Sequence, residues 1–193
     1  MEYKQAKITD IEGILLLHKK YQIDTISEED KKDGFVTTSF TIEQLTKLIN
    51  EENGLFIAKD NENVVAYVMS ASWDFWSKWP IFVFMISNLD SLEFNGKKIN
   101  IQNSYQYGPV CIDKKYRGSG VLEEIFEFSR KEMSKRYEIL ITFINKINLR
   151  SFNAHKKKLG LDVINEFEFN NNKYYELAYD TSKSLNNSRK LTQ

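Results

Sequence analysis

Cysteine and histidine are nearly missing from this chain of 193 residues: Cys111 stands alone, and His18 and His155 are the two histidines. One cysteine excludes an internal disulfide, and three such residues cannot assemble a Cys/His zinc site; a carboxylate metal site has no motif to support it. An excess of charge is missing too. Lys+Arg and Asp+Glu are 27 each, so nothing beyond a local patch would draw nucleic acid or an anionic membrane. Long apolar runs are absent: the longest, near "WPIFVFMI", is far too short to span a bilayer. The start, "MEYKQAKITD", lacks the apolar core of a signal peptide. These absences predict a soluble, cytoplasmic protein with no metal, no nucleic-acid partner and no membrane partner.

What is present is a core-forming composition. Hydrophobic residues make up 41%, with 13 Phe and 10 Tyr, and a chain of this length buries roughly 70% of the surface its unfolded form exposes. "YKQAKI" reads as a short strand, and Thr9 with Glu12 forms a capping-box pattern opening a helix through Ile11, Ile14, Leu15 and Leu17. Residues 24–38 are polar and charged up to Gly34 and read as an exposed loop. Thr41 and Gln44 repeat the capping box ahead of Ile42, Leu45, Leu48 and Ile49, and Asn53-Gly54 ends that helix. "LFIAKDNENVVAYVMSASW" predicts an antiparallel hairpin. The least regular segment, 73–104, crowds Trp73, Trp76 and Trp79 with Phe75, Phe82 and Phe84, and Pro80 opens a helix running to about Leu92.

The second half is more regular. "SYQYGPVCID" reads as a strand, "KKYRGSG" as a turn, and Val121 to about Arg136 as a helix with Leu122, Ile125, Phe126, Ser129 and Met133 on one face. "ILITFI" suits a strand buried on both faces. "NLRSFNAHKKKLG" is a helix stopped by Gly160, and "INEFEF" and "YYELAY" form a strand pair around "NNNK". The end, 181–193, is polar and expected to be loose. No repeat and no linker divides the chain, so 1–180 reads as a single domain.

A strand that passes through glycines into a helix N-terminus makes an anion site, because the first N–H groups of a helix have no internal partner and its dipole is positive there. "KKYRGSGVLEEIF" has that arrangement. It is not a Walker A loop, since no Gly-Lys-Ser/Thr follows, and it is not a dinucleotide fingerprint, since Glu123 occupies the third glycine position. Spacing alone leaves a plain turn and a ligand site both open.

The segment "CIDKKYRGSGVLEEIFEFSRKEM" resembles the acetyl-CoA-binding stretch of the GNAT superfamily of acyl-CoA N-acyltransferases, whose pattern is Arg/Gln-x-x-Gly-x-Gly/Ala at a strand-turn-helix junction. The pattern falls on Lys115, Gly118 and Gly120, with Arg117 and Val121 also matching common choices; Lys115 departs from Arg or Gln but keeps the polar end. "INLRSFNAHKKKLGL" resembles a second family segment through Asn148, Ser151, His155, Leu159 and Gly160. Leu161 stands where Phe is usual, and one extra residue separates His155 from Gly160. The order of elements from Tyr3 to Tyr179 matches as well. The resemblance implies an α/β (α+β) three-layer fold, a central mixed, mostly antiparallel sheet flanked by helices.

It also implies roles. Acetyl-CoA would be the cosubstrate, its pyrophosphate received by the backbone of Arg117, Gly118, Ser119, Gly120, Val121 and Leu122 with charge from Lys115 and Arg117. Val110 and Ile112 would pair with the pantetheine, and Cys111 would lie between them facing the other way, with no base to make it a nucleophile. Asn148 and Ser151 would touch the pantetheine or phosphate arm, although Asn148 also suits a helix cap. His155 occupies the position of a general acid for the leaving thiolate. The acceptor would be a small-molecule or peptide amine, mostly protonated at neutral pH because such amines have pKa values of about 8 to about 10.4. No single Asp or Glu stands out as the general base. The acceptor pocket is expected between the early helices and residues 73–86, whose aromatic residues equally suit core packing. Glu28, Glu29 and Asp30 would attract a cationic acceptor or form a solvated face. A homodimer, a non-catalytic acyl-CoA-binding module and a generic nucleotide site stay open at this stage.

Overall fold

The structure, a computed structural model, describes residues 1–27 and 34–185. Glu28, Glu29 and Asp30 lie outside the described residues, as do residues 186–193 of the tail. The chain divides into two compact units, Met1–Ser70 with Gly108–Ser129, and Ala71–Tyr107 with Arg130–Gln193. Among the described residues no helix is long and apolar enough to cross a membrane.

The first unit carries strands β1 (Glu2–Gln5), β2 (Leu55–Asp60), β3 (Asn63–Ala71) and the later half of β6 (Ser104–Ile112), in the order β1-β2-β3-β6. β1 and β2 are antiparallel, with Tyr3 opposite Ala58, and β2 and β3 form the expected hairpin. Helix α1 (Ile11–Lys20) buries Ile14 and Leu17. Its entry differs from the Thr9–Glu12 box. A 3-10 turn over Ile8–Asp10 comes first, and the Asp10 carboxylate accepts the Lys7 N–H at 2.9 Å while pairing with Lys4 at 3.2 Å and Lys59 at 3.5 Å. A carboxylate gathers charged and neutral donors that a threonine hydroxyl cannot hold, so Asp10 wins the competition. Burial pushes its pKa up, but the Lys7 N–H and the two lysines outweigh this and leave it lowered.

Helix α2 (Ile42–Asn50) forms as expected: Gln44 N–H donates to Thr41 Oγ1 at 3.2 Å, and Thr41 N–H donates to Gln44 Oε1 at 2.9 Å. Such a cap stabilises by about 1 kcal/mol. Leu45 and Leu48 turn inward beneath it. Phe56, Ile57, Tyr67, Ile125 and Phe126 are fully buried in the same unit.

The second unit carries α3 (Trp73–Trp76), α4 (Pro80–Asn88, with proline in its first turn), a small hairpin β4 (Glu93–Phe94) and β5 (Lys97–Lys98), and the first half of β6. Helix α5 (Val121–Met133) enters it at Arg130, and β7 (Ile139–Asn145), α6 (Leu149–Asn153), β8 (Asp162–Phe169) and β9 (Asn172–Asp180) follow. Strand order is β6-β7-β9-β8. β6 and β7 are parallel but register over Ser104–Gln106 and Ile139–Ile141 alone, whereas β7–β9 and β8–β9 are antiparallel. Buried Trp73 donates its indole N–H to Ser104 Oγ at 2.9 Å.

The predicted loose tail is tied down at its start. Thr181 is buried, its N–H donates to Glu138 O at 3.0 Å and its hydroxyl to Tyr137 O at 2.6 Å, and its carbonyl accepts from the buried guanidinium of Arg130. Leu185 is buried as well. Polar composition misled because these polar groups are satisfied internally rather than by water.

Gly54 is the tightest backbone position. A Cβ there would lie 1.6 Å from the Ser70 carbonyl oxygen, while Ser70 N–H donates to Gly54 O at 2.7 Å. Gly54→Ala is therefore expected to destabilise by on the order of 3 kcal/mol, readable in urea denaturation, because two strands must separate to admit one methyl group.

Candidate functional site

β6 alternates at its end. Val110 and Ile112 are half-exposed and Cys111 is buried. The strand then runs into a 3-10 turn, Lys114–Tyr116, two glycines and α5. Asp113 organises this turn. Its Oδ1 accepts the Lys115 N–H at 3.0 Å, its Oδ2 accepts Lys20 Nζ at 2.7 Å, and its own N–H donates to Val65 O at 2.8 Å. Burial would raise the Asp113 pKa, but Lys20 and the Lys115 N–H overcome it and hold the carboxyl below its ordinary value. Tyr21 adds a second anchor by accepting the Lys114 N–H at 2.7 Å, and Tyr116 donates to Asp60 at 2.7 Å. Arg117 folds back: its Nε–H donates to Ile112 O at 2.8 Å and its guanidinium stacks 4.8 Å from the centre of the Tyr21 ring.

Beyond Arg117 the backbone opens. Gly118 and Gly120 have φ of +83° and +91°, values that L side chains rarely adopt. A Cβ at either would meet nothing within 4 Å, so the space over the turn is free. The N–H groups of Gly118, Gly120, Val121 and Leu122 donate to no described residue, and the first bond of the helix is Glu124 N–H to Gly120 O at 3.1 Å. Four donors without an acceptor among the described residues thus lie at, or just before, the positive end of α5. Among the residues expected to bind, Val110, Cys111, Ile112, Lys115, Arg117, Gly118, Ser119, Gly120, Val121 and Leu122 are brought together in this one unit.

Cys111 sits beneath this strand with Tyr67, whose hydroxyl is 2.7 Å from His18 Nδ1. Burial pushes the Cys111 thiol up to about 12, against smaller opposing effects of Arg117 and Tyr67. The thiolate needed for nucleophilic attack is absent at neutral pH.

Asn148, Ser151 and His155 come together in the second unit. Asn148 caps α6, its Oδ1 accepting the Ser151 N–H at 3.1 Å. The extra residue before Gly160 is absorbed by a π-helical turn, Ala154–Lys158, closed by Leu159 N–H to Ala154 O at 3.2 Å. A single-residue insertion in a helix is accommodated in this way without disturbing either flank. His155 is buried by that turn, with Tyr107 edge-on at 5.9 Å. Its Nδ1 lies 2.8 Å from Ser151 O; a carbonyl only accepts, so Nδ1 carries the proton. Burial holds the His155 pKa below the ordinary value, and the bond to Ser151 opposes this only in part. The ring is therefore neutral with its one proton engaged by a carbonyl, which does not suit the general acid expected at this position.

Glu176, on β9, is a buried carboxylate that the sequence reading passed over. It pairs with Phe143 on β7 and with Asn165 on β8. Asn165 Nδ2 donates to its Oε2 at 3.1 Å, and Oε1 has no hydrogen-bond partner among the described residues. Burial raises its pKa and the Asn165 bond opposes this. In "YYELAY" the glutamate reads as a solvent-facing residue of an edge-type strand; only strand order makes β9 internal and Glu176 covered.

A scan against protein-family models finds no match, and a search of curated proteins finds none either. Solved structures do match. A protein of Streptococcus mutans UA159, smu.2055, superposes with TM-score 0.64 at 16% identity, over 94% of this chain and 99% of that one. The ribosomal-protein-alanine N-acetyltransferase of Brucella melitensis gives 0.61 at 14% identity, over 93% and 99%. Salmonella typhimurium yncA, whose structure holds acetyl-CoA, gives 0.60 at 11% identity, over 93% of each chain. The chain therefore has the GNAT acetyltransferase fold, a mixed, mostly antiparallel sheet flanked by helices.

Two outcomes follow from the buried groups. Cys111 should resist iodoacetamide in the folded protein at neutral pH and react after unfolding, as read by intact mass; rapid labelling of the native chain would contradict its burial. Glu176 has a folded-state pKa above its ordinary 4.5, so the stability linked to it is full below that value and is lost as pH rises through the folded pKa. On its sheet face lie Ile141, Phe143 and Asn145 from β7, Asn165 and Phe167 from β8, and Tyr174 and Ala178 on β9; Asp162, opposite Ala178, is the charged residue among these pairs and is itself paired with Lys156. Glu176→Gln should match the wild-type melting temperature at about pH 4 and exceed it above the ordinary carboxylate pKa, the gain levelling off once pH has passed the raised folded-state pKa. Parallel curves would contradict the raised pKa.

Proposed function

We propose that this protein is a GNAT-type N-acetyltransferase that transfers an acetyl group, or another short acyl group, from acetyl-CoA to a primary amine by direct attack on the thioester. The observation that carries the reading is the set of N–H groups of Gly118, Gly120, Val121 and Leu122 without an acceptor among the described residues at the N-terminus of α5, beside two glycines whose Cβ positions are open. A pyrophosphate fits such a cradle because backbone donors and the helix dipole act on it together. Lys115 is exposed beside it and adds positive charge.

Acetyl-CoA, when bound, supplies an activated acyl group and a thiolate leaving group. The chain's part is positioning. Val110 and Ile112 would offer strand backbone to the pantetheine, and the Val110 N–H would polarise the acyl carbonyl. Asn148 and Ser151 are joined to each other by the cap of α6. Cys111 takes no covalent part, and a covalent intermediate is unnecessary when a deprotonated amine attacks directly.

The test is calorimetric titration of coenzyme A against wild type and Gly120→Val, together with thiol release from acetyl-CoA in the presence of an amine panel. Wild type should bind coenzyme A and release thiol with at least one amine. Gly120→Val should lose at least tenfold in affinity, about 1.4 kcal/mol, while circular dichroism shows it folded. Undiminished affinity would remove the pyrophosphate site. Binding without thiol release would favour a non-catalytic acyl-CoA module, and stabilisation by ATP or NAD but not by coenzyme A would favour a nucleotide site.

A further inference from the structure

The sheet face that carries Glu176 is lined with aromatic rings. Paired residues on neighbouring strands project to the same side, so the pairs Phe143–Glu176, Asn165–Glu176 and Phe167–Tyr174 place all five side chains together. Phe167 and Tyr174 stack with ring centres 5.1 Å apart, Phe143 lies 5.5 Å from Tyr174, and Phe82 of α4 stands edge-on to Phe143 at 5.5 Å. Glu176 is 2% exposed, yet Phe143, Phe167 and Tyr174 are each half-exposed. The carboxylate therefore lies just beneath rings that reach solvent.

Packing does not account for this carboxylate. Its Oε2 is satisfied by Asn165, but among the described residues its Oε1 has no donor. A buried carboxylate oxygen without a donor is costly, and an isosteric amide or an apolar residue would serve the fold better. A group that supplies N–H donors and positive charge would satisfy it. Aromatic faces favour the same cation and also take an apolar body.

We infer that Glu176 and the rings of Phe143, Phe167 and Tyr174 form the recognition site for the acceptor: an amine with an apolar, arylalkyl-type body, its ammonium N–H donating to Glu176 Oε1. This rests on the acetyltransferase reading for the fate of the amine, but not for its binding. The site selects a monoamine over a neutral alcohol of the same shape, because only the amine meets the carboxylate with charge. It also selects against anionic acceptors, which would place like charge against Glu176.

The test uses the whole chain, with and without coenzyme A. Wild type and Glu176→Gln are titrated calorimetrically with benzylamine, 2-phenylethylamine and tyramine, and with 2-phenylethanol as the neutral counterpart. At least one amine should bind wild type tenfold or more tighter than the alcohol. Glu176→Gln should lose at least tenfold for that amine and nothing for the alcohol, with coenzyme A affinity unchanged. If no amine binds wild type, if amine and alcohol bind alike, or if the variant binds the amine equally, the inference fails. The comparison of amine with alcohol in wild type stands even if the variant misfolds. Amine binding through Glu176 in a protein that never binds coenzyme A would end the acetyltransferase reading and leave this site standing. Acetyl transfer to an amine indifferent to Glu176→Gln would do the reverse.

Discussion

The turn at the end of β6 depends on one carboxylate. Asp113 holds Lys20 from α1, the Lys115 N–H of the turn and, through its own backbone, the Val65 carbonyl of β3. These tie the strand end, the helix before it and the start of the turn into one piece. With that piece held, Gly118 and Gly120 take left-handed backbone angles, with open space at both their Cβ positions, just ahead of α5. The exposed Lys20 makes the ion pair a modest contribution by itself; its value is geometric, since it helps fix the start of the turn.

Two kinds of buried polar group occur in this chain. His155 is paid off within its own helix, its one proton engaged by Ser151 O, and the π-turn that buries it accommodates an added residue. Arg130 and Thr181 likewise satisfy each other. Glu176 differs because half of its carboxylate has no partner among the described residues. Ser70 Oγ, the Tyr105 hydroxyl and Gln106 Oε1 share that lack of a partner among the described residues, but of these only Glu176 is a carboxylate, for which burial costs most.

Much was legible in local pattern. The Thr41–Gln44 cap, the hairpin of β2 and β3, Pro80 in the first turn of α4 and the Asn-rich turn between β8 and β9 all formed where expected, because each depends on residues close in sequence. Asn170 and Asn171 both have positive φ, as a tight hairpin turn requires. The small hairpin of β4 and β5 was readable as well: Asn95-Gly96 is a strong hairpin signal that the crowded aromatic segment concealed. The helix start at Asp10 was not, since the carboxylate gathers the Lys7 N–H, Lys4 and the distant Lys59 together, a set of partners no capping pattern records.

The sequence by itself determined the local elements and the glycine turn, and with them the family resemblance, because caps, turns and periodicity act over a few residues. Tertiary structure alone decided what became of the isolated polar side chains. It buried the ring of His155, raised the Cys111 thiol, and covered Glu176 by placing β9 between β7 and β8. Desolvation and strand order set those outcomes, and neither is written in any short stretch of residues.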